Sequence, residues 1–357
     1  MQPNHGGNLR WAANIAGTSE ANILDFSASI NPLGTPDSAI AAIHSHLTSL
    51  KHYPDPEYIA LRQALAEFHQ ISSGCILAGN GVSELLTWAG RDLGQFVATV
   101  LFTPAFSDYY RAFKTFGVEI EDYALGIDDD RELKFFLPEL PKTGSRLQKG
   151  ILINNPHNPT GYLFTRKALI PYLDEFGLVV IDEAFMDFLP LWQQQSLIDL
   201  VPKYSNLVIL RSLTKFYGLP GLRLGYAIAH PDRVNQWQQW RDPWSVNSLA
   251  VAAGIAIVKD IEFQQKTWDW LSSARPQLWQ GLNHLEGIYP IMGAANYLLV
   301  RTEASGAWLQ QQLLQSDRIL IRDCLSFTEL GDHYIRVAVR LEAENNRLIK
   351  GLAKIMN

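Results

Sequence analysis

The feature that most narrows the fold is a rhythm in the chain. From about Ile40 to Ala229, short apolar runs alternate with amphipathic segments. The runs FVATVLF (Phe96 to Phe102), KGILINN (Lys149 to Asn155), LVVIDEAF (Leu178 to Phe185), LVILRSL (Leu207 to Leu213) and LGYAIA (Leu224 to Ala229) are rich in β-branched residues and unbroken by polar alternation. A half-exposed strand alternates; a continuous run marks a strand covered on both faces. The covers are supplied by stretches with helical spacing, such as Tyr58 to Gln70 and Thr165 to Phe176. The order predicts an α/β fold, a mainly parallel sheet with helices on both faces.

A second zone follows. The Trp-rich stretch Trp237 to Trp244 leads into a long helical pattern from Ser248 to about Leu285. After it come strands at Ala295 to Arg301, Ile319 to Asp323 and Tyr334 to Val339, a helix near Ala307 to Gln315, and a closing helix from Glu342. This mixture predicts a smaller α+β domain. The 357 residues exceed one minimal core, and 47% hydrophobic residues provide for two. We expect a large domain over residues 36–244 and a small one built from 1–35 and 245–357. Trp237, Trp240 and Trp244 are expected to pack at the domain junction, as large aromatics mostly serve burial.

Charge excludes some functions. With 30 Lys and Arg against 36 Asp and Glu, the net charge is −6, which argues against nucleic acid as a partner. An anionic substrate would then be caught by a few placed arginines and backbone amides. Cys75 and Cys324 lie far apart in apolar stretches and read as small core thiols, and no Cys/His metal cluster is visible. The first twenty residues show no signal pattern and no run approaches a membrane span, so the expectation is a cytoplasmic protein without membrane contact.

Candidate chemistry centres on SLTKFYGLPGLRLGY (Ser212 to Tyr226). The segment leaves a strand, sets Lys215 among apolar and small residues, and places Arg223 shortly after. A dehydrated lysine has a lowered pKa and an amine free for imine chemistry. Taken alone, Lys215 reads as a solvated lysine at a helix start; its company changes that. Asp182 ends a buried strand at the carboxyl edge of the sheet, where ligands of open α/β sheets gather. A buried carboxylate needs a cation, and a protonated pyridinium nitrogen is one; the other role open to it is a helix N-cap. In NNPHNPTG (Asn154 to Gly161), two prolines stiffen an irregular backbone from which Asn158 can present its amide to a ring oxygen. In GNGVSELL (Gly79 to Leu86), the turn Asn80, Gly81 and Val82 opens a helix and offers N–H groups to a phosphate. Ser212 and Arg223 would add a hydroxyl and a bidentate charge.

These pieces, with PAFSDYY before them and YIRVAV after, come in the order that resembles fold-type I pyridoxal-phosphate enzymes. Within them the chain is similar to the histidinol-phosphate aminotransferase branch. HGGN (His5 to Asn8), LDFSASINPLG (Leu24 to Gly34), HYPDP (His52 to Pro56), GNGVSE, DEAF and IRDC with YIRVAVR narrow the resemblance to the threonine-phosphate decarboxylases of cobalamin synthesis. The resemblance implies pyridoxal 5'-phosphate held by Lys215 as a Schiff base, with Asp182 on the pyridinium nitrogen. Asn158 would then meet the ring's phenolic oxygen, and Phe106 the ring face. Asn80, Gly81, Val82, Ser212 and Arg223 are implied as the phosphate cup. Tyr53 is implied to reach the phosphate of a neighbouring subunit, making a homodimer the functional unit.

For the substrate, the resemblance assigns the α-carboxylate to Arg336 and a side-chain phosphate to Arg322, and makes Asn31 and His5 lid residues. Each arginine would otherwise serve a structural ion pair, and His5 a loose terminus. The expected activity is decarboxylation of L-threonine O-3-phosphate to (R)-1-aminopropan-2-ol phosphate; the alternative is an aminotransferase acting on histidinol phosphate. One position departs from many aminotransferases of this fold. Phe185 stands where a tyrosine would donate to the phenolic oxygen, as in the decarboxylase branch.

Overall fold

The structure, a computed structural model, describes residues 5–128, 134–141, 145–327 and 329–356. Seven strands form the large sheet: β1 (Ile76–Gly79), β2 (Ala98–Thr103), β3 (Ile120–Ala124), β4 (Lys149–Asn154), β5 (Leu178–Asp182), β6 (Leu207–Ser212) and β7 (Gly225–Ala229). They lie in the order β1-β7-β6-β5-β4-β2-β3. Six run parallel, while β7 is antiparallel to both its neighbours, β6 and β1. Every residue of β2, β5, β6 and β7 is buried, as expected of runs covered on both faces.

Two apolar layers provide the cover. On one face pack α4 (Val82–Leu93), α5 (Ser107–Thr115) and α8 (Pro231–Trp240), through Leu85, Leu86, Tyr109, Phe113, Val234 and Trp237. The other face joins the main core, to which α2 (Asp37–His46), α3 (Ile59–His69), α6 (Arg166–Leu169) and α7 (Pro171–Glu175) contribute Ala39, Leu61, Leu169 and Leu173, and which runs into the C-terminal part of the chain. There β8 (Ile288–Ile291), β9 (Tyr297–Thr302), β10 (Arg322–Asp323) and β11 (Tyr334–Ala338) form an antiparallel sheet in the order β8-β9-β11-β10. Helices α10 (Ile261–Asn283) and α12 (Glu342–Met356) pack on this region. The N-terminal helix α1 (Leu9–Ala16) lies against α11 (Gly306–Asp317), burying Ala12 and Ala13 beside Ile23, Leu314 and Leu320.

Two local expectations are corrected. The helical pattern over 248–285 is two helices, α9 (Ser248–Ile257) and α10, because Asp260 turns its carboxylate back to cap Phe263 N at 2.9 Å. The three tryptophans do not share one junction: Trp237 and Trp240 belong to the apolar layer on the large sheet. Trp237 is buried under the large sheet and donates to Asp92 (3.0 Å), whereas Trp244 is half exposed against Tyr53.

Candidate active site

The carboxyl ends of four adjacent parallel strands meet at one edge of the large sheet. Asn154 ends β4 in register with Asp182 of β5, and Ser212 ends β6. After β2 the chain crosses Pro104 and enters α5 with Phe106 at its cap position. A cleft at this edge is lined by Lys215, Asp182, Asn158, Phe106 and Phe185 from the large-sheet side, and by Arg322 and Arg336 from the small sheet. His5 of the N-terminal arm closes its rim, its ring 5.7 Å from that of Phe106. Seven sequence-predicted residues from segments remote in the chain thus share one cavity.

Asp182 is held on its inner side. Its Oδ2 accepts from the Tyr109 hydroxyl at 2.7 Å, and its Oδ1 from Ala184 N at 3.0 Å. Burial pushes the carboxyl above its usual range, while Tyr109 and the nearby Lys215 oppose the shift. Lys215 is pushed down by burial; Asp182 opposes this, and Arg336 and Arg223 add to it. Its Nζ stands 4.9 Å from the Phe185 ring centroid. An amine so placed is less protonated than a surface lysine and more nucleophilic.

Asn158 is 7% exposed, and its Oδ1 accepts from Arg336 Nη1 at 2.6 Å. That bond sets the amide orientation and leaves the NH₂ as the free donor. Arg336 also donates from Nη2 to Ser27 O at 3.0 Å, while its buried Nε has no hydrogen-bond partner among the described residues. Arg322 and Arg336 are direct cross-strand partners. Like charges facing each other on one sheet are unfavourable by themselves, and burial lowers the pKa of both guanidinium groups. Arg322 donates to Ser326 Oγ at 2.6 Å and lies near Asp323, and an anionic ligand between the two guanidinium groups would offset their repulsion further.

The predicted phosphate cup lies beside this cleft. Ser212 Oγ pairs with Thr214 Oγ1 at 2.8 Å. Gly81 has φ +76, and a Cβ there would collide with Arg223 Nη2. A Cβ at Gly225 would stand 3.0 Å from Val82 N. Both glycines therefore hold hydroxyl, guanidinium and turn close together. One detail corrects the expectation. Asn80 N–H donates to Glu84 Oε2 (2.6 Å) and Gly81 N–H to Gly79 O (2.8 Å), so the amide open to an anion is at Val82, the first residue of α4.

Two further residues lie elsewhere. Asn31 does not reach the cleft: it is 3% exposed, and its Nδ2 donates to Phe216 O (2.7 Å) and Thr267 Oγ1 (2.9 Å). Its Oδ1 accepts from Leu33 N, and its own N–H donates to Lys215 O at 3.0 Å. The lid role expected for Asn31 is therefore corrected; its amide is fully committed to the turn beside the lysine. Tyr53 is 80% exposed, away from the cleft, and lies against Trp244 at 4.8 Å.

Sequence reasoning missed Tyr109, Thr214, Glu84, Ser27 and Ser29. Tyr109 had a signal, since it follows Phe106 by one helical turn and shares its face. Ser29, which had no such signal, lines the cleft with a buried Oγ that has no hydrogen-bond partner among the described residues.

The residues present fit a phosphorylated pyridine aldehyde. The cleft holds the dehydrated amine of Lys215 and the buried carboxylate of Asp182, and the glycine turn nearby packs so tightly on Arg223 that a Cβ at Gly81 would collide with it. Comparison with known proteins agrees. The family model described as aminotransferase class I and II matches residues 21–352. The chain is 38% identical to the threonine-phosphate decarboxylase of Salmonella typhimurium, over 99% of this chain and 96% of that one. The structure of the histidinol-phosphate aminotransferase from Clostridium acetobutylicum matches with a TM-score of 0.81 at 27% identity, covering 94% of this chain and 99% of that one. A histidinol-phosphate aminotransferase from Sinorhizobium meliloti, solved with pyridoxal-5'-phosphate, shares the fold at a TM-score of 0.83 and 20% identity, over 98% and 94% of the two chains.

Proposed function

The chain belongs to the class I and II aminotransferase family, and from that premise we propose that it is a pyridoxal-phosphate-dependent decarboxylase of L-threonine O-3-phosphate in cobalamin biosynthesis. The observation that carries the substrate is the cross-strand pair Arg322 and Arg336, both lining the cleft that holds Lys215. Two guanidinium groups facing one cavity suit a ligand with two anionic ends, and each binds carboxylate or phosphate through paired N–H bonds. The full-length similarity to a threonine-phosphate decarboxylase supports the same assignment.

Lys215 would hold the cofactor covalently, Asp182 would pair with its ring nitrogen, and the free NH₂ of Asn158 would face its phenolic oxygen. Val82 N, Ser212 and Arg223 take its phosphate. When bound, pyridoxal phosphate supplies an electron sink for the bond broken at the substrate α-carbon. Arg336 orients the α-carboxylate, and Arg322 with His5 takes the side-chain phosphate. Phe106 covers the ring face. Lys215 would be the group placed to deliver the proton that takes the position of the departing carbon dioxide at the substrate α-carbon. The products are carbon dioxide and (R)-1-aminopropan-2-ol phosphate.

The proposal includes a cytoplasmic homodimer. Leu47, Leu50, Tyr53, Ile59 and Trp244 form exposed apolar surface of the kind that marks association sites, and Tyr53 would complete the partner's cup. No helix among the described residues is long and apolar enough to cross a membrane.

The test is incubation of the holoenzyme with L-threonine phosphate in the absence of any keto acid. Carbon dioxide and the amino alcohol phosphate are expected in equal amounts. Glutamate formed from 2-oxoglutarate and histidinol phosphate, with no carbon dioxide from L-threonine phosphate, would replace this reading with the aminotransferase one.

A further inference from the structure

We infer that Ser27 is a positioning residue that ties the N-terminal arm to the carboxylate-holding arginine, a reading that deepens the proposed decarboxylase and rests on it. Ser27 is buried and uses both its main chain and its side chain. Its carbonyl accepts from Arg336 Nη2 at 3.0 Å. Its hydroxyl has a single proton, which goes to Asp25 Oδ1 at 2.6 Å. The same carboxylate oxygen accepts from Ser27 N (2.7 Å) and Ala28 N (3.3 Å), fixing the turn. A carboxylate cannot donate, so the hydroxyl oxygen is left as an acceptor, and Gly7 N–H donates to it at 2.8 Å.

The arm is shaped to reach this acceptor. A Cβ at Gly6 would overlap the Ser27 carbonyl, and Gly7 has φ +81, so the two glycines of HGGN permit the approach. Beyond them, Asn8 Oδ1 caps α1 by accepting from Trp11 N at 3.0 Å. Ala12 and Ala13 seat that helix in its own apolar cluster. The arm is therefore anchored at its far end by α1 and at its near end by one serine hydroxyl. His5, next in the chain to Gly6, lines the same cavity as Ser27 and Arg322.

One residue thus sets two distances. Its main chain places Arg336, at the carboxylate end of the substrate, and its side chain places His5, at the phosphate end. Loss of the hydroxyl alone leaves the carbonyl, Arg336 and the Lys215 side of the cleft in place. The effect should fall on substrate binding through His5, not on the bond-breaking step.

The full-length holoenzyme with Ser27→Ala, His5→Ala and both changes tests this, by steady-state decarboxylation of L-threonine phosphate, cofactor affinity, and hydrogen exchange of peptides covering residues 5–8. Ser27→Ala should speed exchange at the arm and raise KM about tenfold, with kcat and cofactor affinity within about threefold, the size of effect one buried hydrogen bond carries. Because Ser27 acts through His5, the double variant should have the KM of His5→Ala alone. Asp25→Asn, which removes the charge that holds the hydroxyl proton, should loosen the arm in the same direction but less. Additive KM losses, or arm exchange unchanged in both Ser27→Ala and Asp25→Asn, would overturn the inference. So would a loss of kcat or cofactor affinity at constant KM. If the unmodified enzyme released no carbon dioxide, the functional reading would fail instead; the exchange data would still decide the latch, and the KM comparison would pass to histidinol phosphate.

Discussion

At Asp182 a buried carboxylate meets a phenol, a backbone amide and a nearby ammonium. Burial favours its neutral form, which could not pair with a pyridinium. The hydrogen bond from Tyr109 works against that, because it stabilises the ionised form. We predict that Tyr109→Phe, which removes only the donor, weakens cofactor binding by about tenfold or more, as expected for a hydrogen bond to a charged group. Equilibrium dialysis against pyridoxal phosphate measures it, and retention unchanged from wild type would refute it. Asn31 offers the complementary case. Its amide is buried and fully paired in the turn that carries Lys215, so Asn31→Ala should lower unfolding stability by about 1–3 kcal/mol. Thermal or urea denaturation of the cofactor-free protein tests this; a large KM increase at normal stability would return Asn31 to the substrate.

Among the elements, the junctions decide more than the strands. The α4 turn, β6 and the start of β7 converge because Gly81 and Gly225 carry no side chain. Gly81→Ala should be expressed and folded yet lose cofactor affinity. The new methyl displaces the Arg223 guanidinium, and a φ of +76 disfavours any Cβ by about 1 kcal/mol or more. An isothermal titration with pyridoxal phosphate would show it, and undiminished affinity would mean that Arg223 is not a phosphate ligand. A second junction joins the Asn158 loop to the small sheet. Gly161 (φ +72) and Gly293 lie backbone to backbone, and Ala294 N donates to Gly161 O at 2.7 Å. That contact explains the glycine ending NNPHNPTG, which the sequence shows only as a turn.

For the molecule as a whole, acid sensitivity follows from a buried histidine. His157 is 2% exposed, and burial lowers its pKa to about 3, against an ordinary value of 6.5. Its folded pKa is depressed, so below pH 6.5 the unfolded chain takes up a proton that the folded chain refuses. The stability present above pH 6.5 is then lost progressively toward pH 3. At pH 5 the loss from this one group is about 2 kcal/mol. Denaturation at pH 7 and pH 5 should show a stability difference that His157→Asn reduces; an equal difference in both proteins would refute the assignment. Association belongs to the same scale. Sedimentation should give a dimer, and mixing an inactive Lys215→Ala chain with a Tyr53→Ala chain should restore part of the activity if Tyr53 serves its partner's cup.

The sequence by itself determined the layered α/β plan and the type of chemistry. Continuous β-branched runs between helical stretches fit strands covered on both faces, and the lysine, carboxylate and glycine turn take on meaning as a set, through the resemblance that their order carries. What it could not show is which polar atoms are already occupied. Asn31 and Ser27 stand four residues apart in one motif, yet one amide is closed within the turn while the other residue's hydroxyl and carbonyl reach the arm and Arg336, which is 309 positions away in the chain. Tyr109 likewise meets Asp182 across 73 positions. Local patterns follow from local sterics and burial, but the pairing of buried polar groups is set by which remote segments packing brings together, and that was decided only in the tertiary structure.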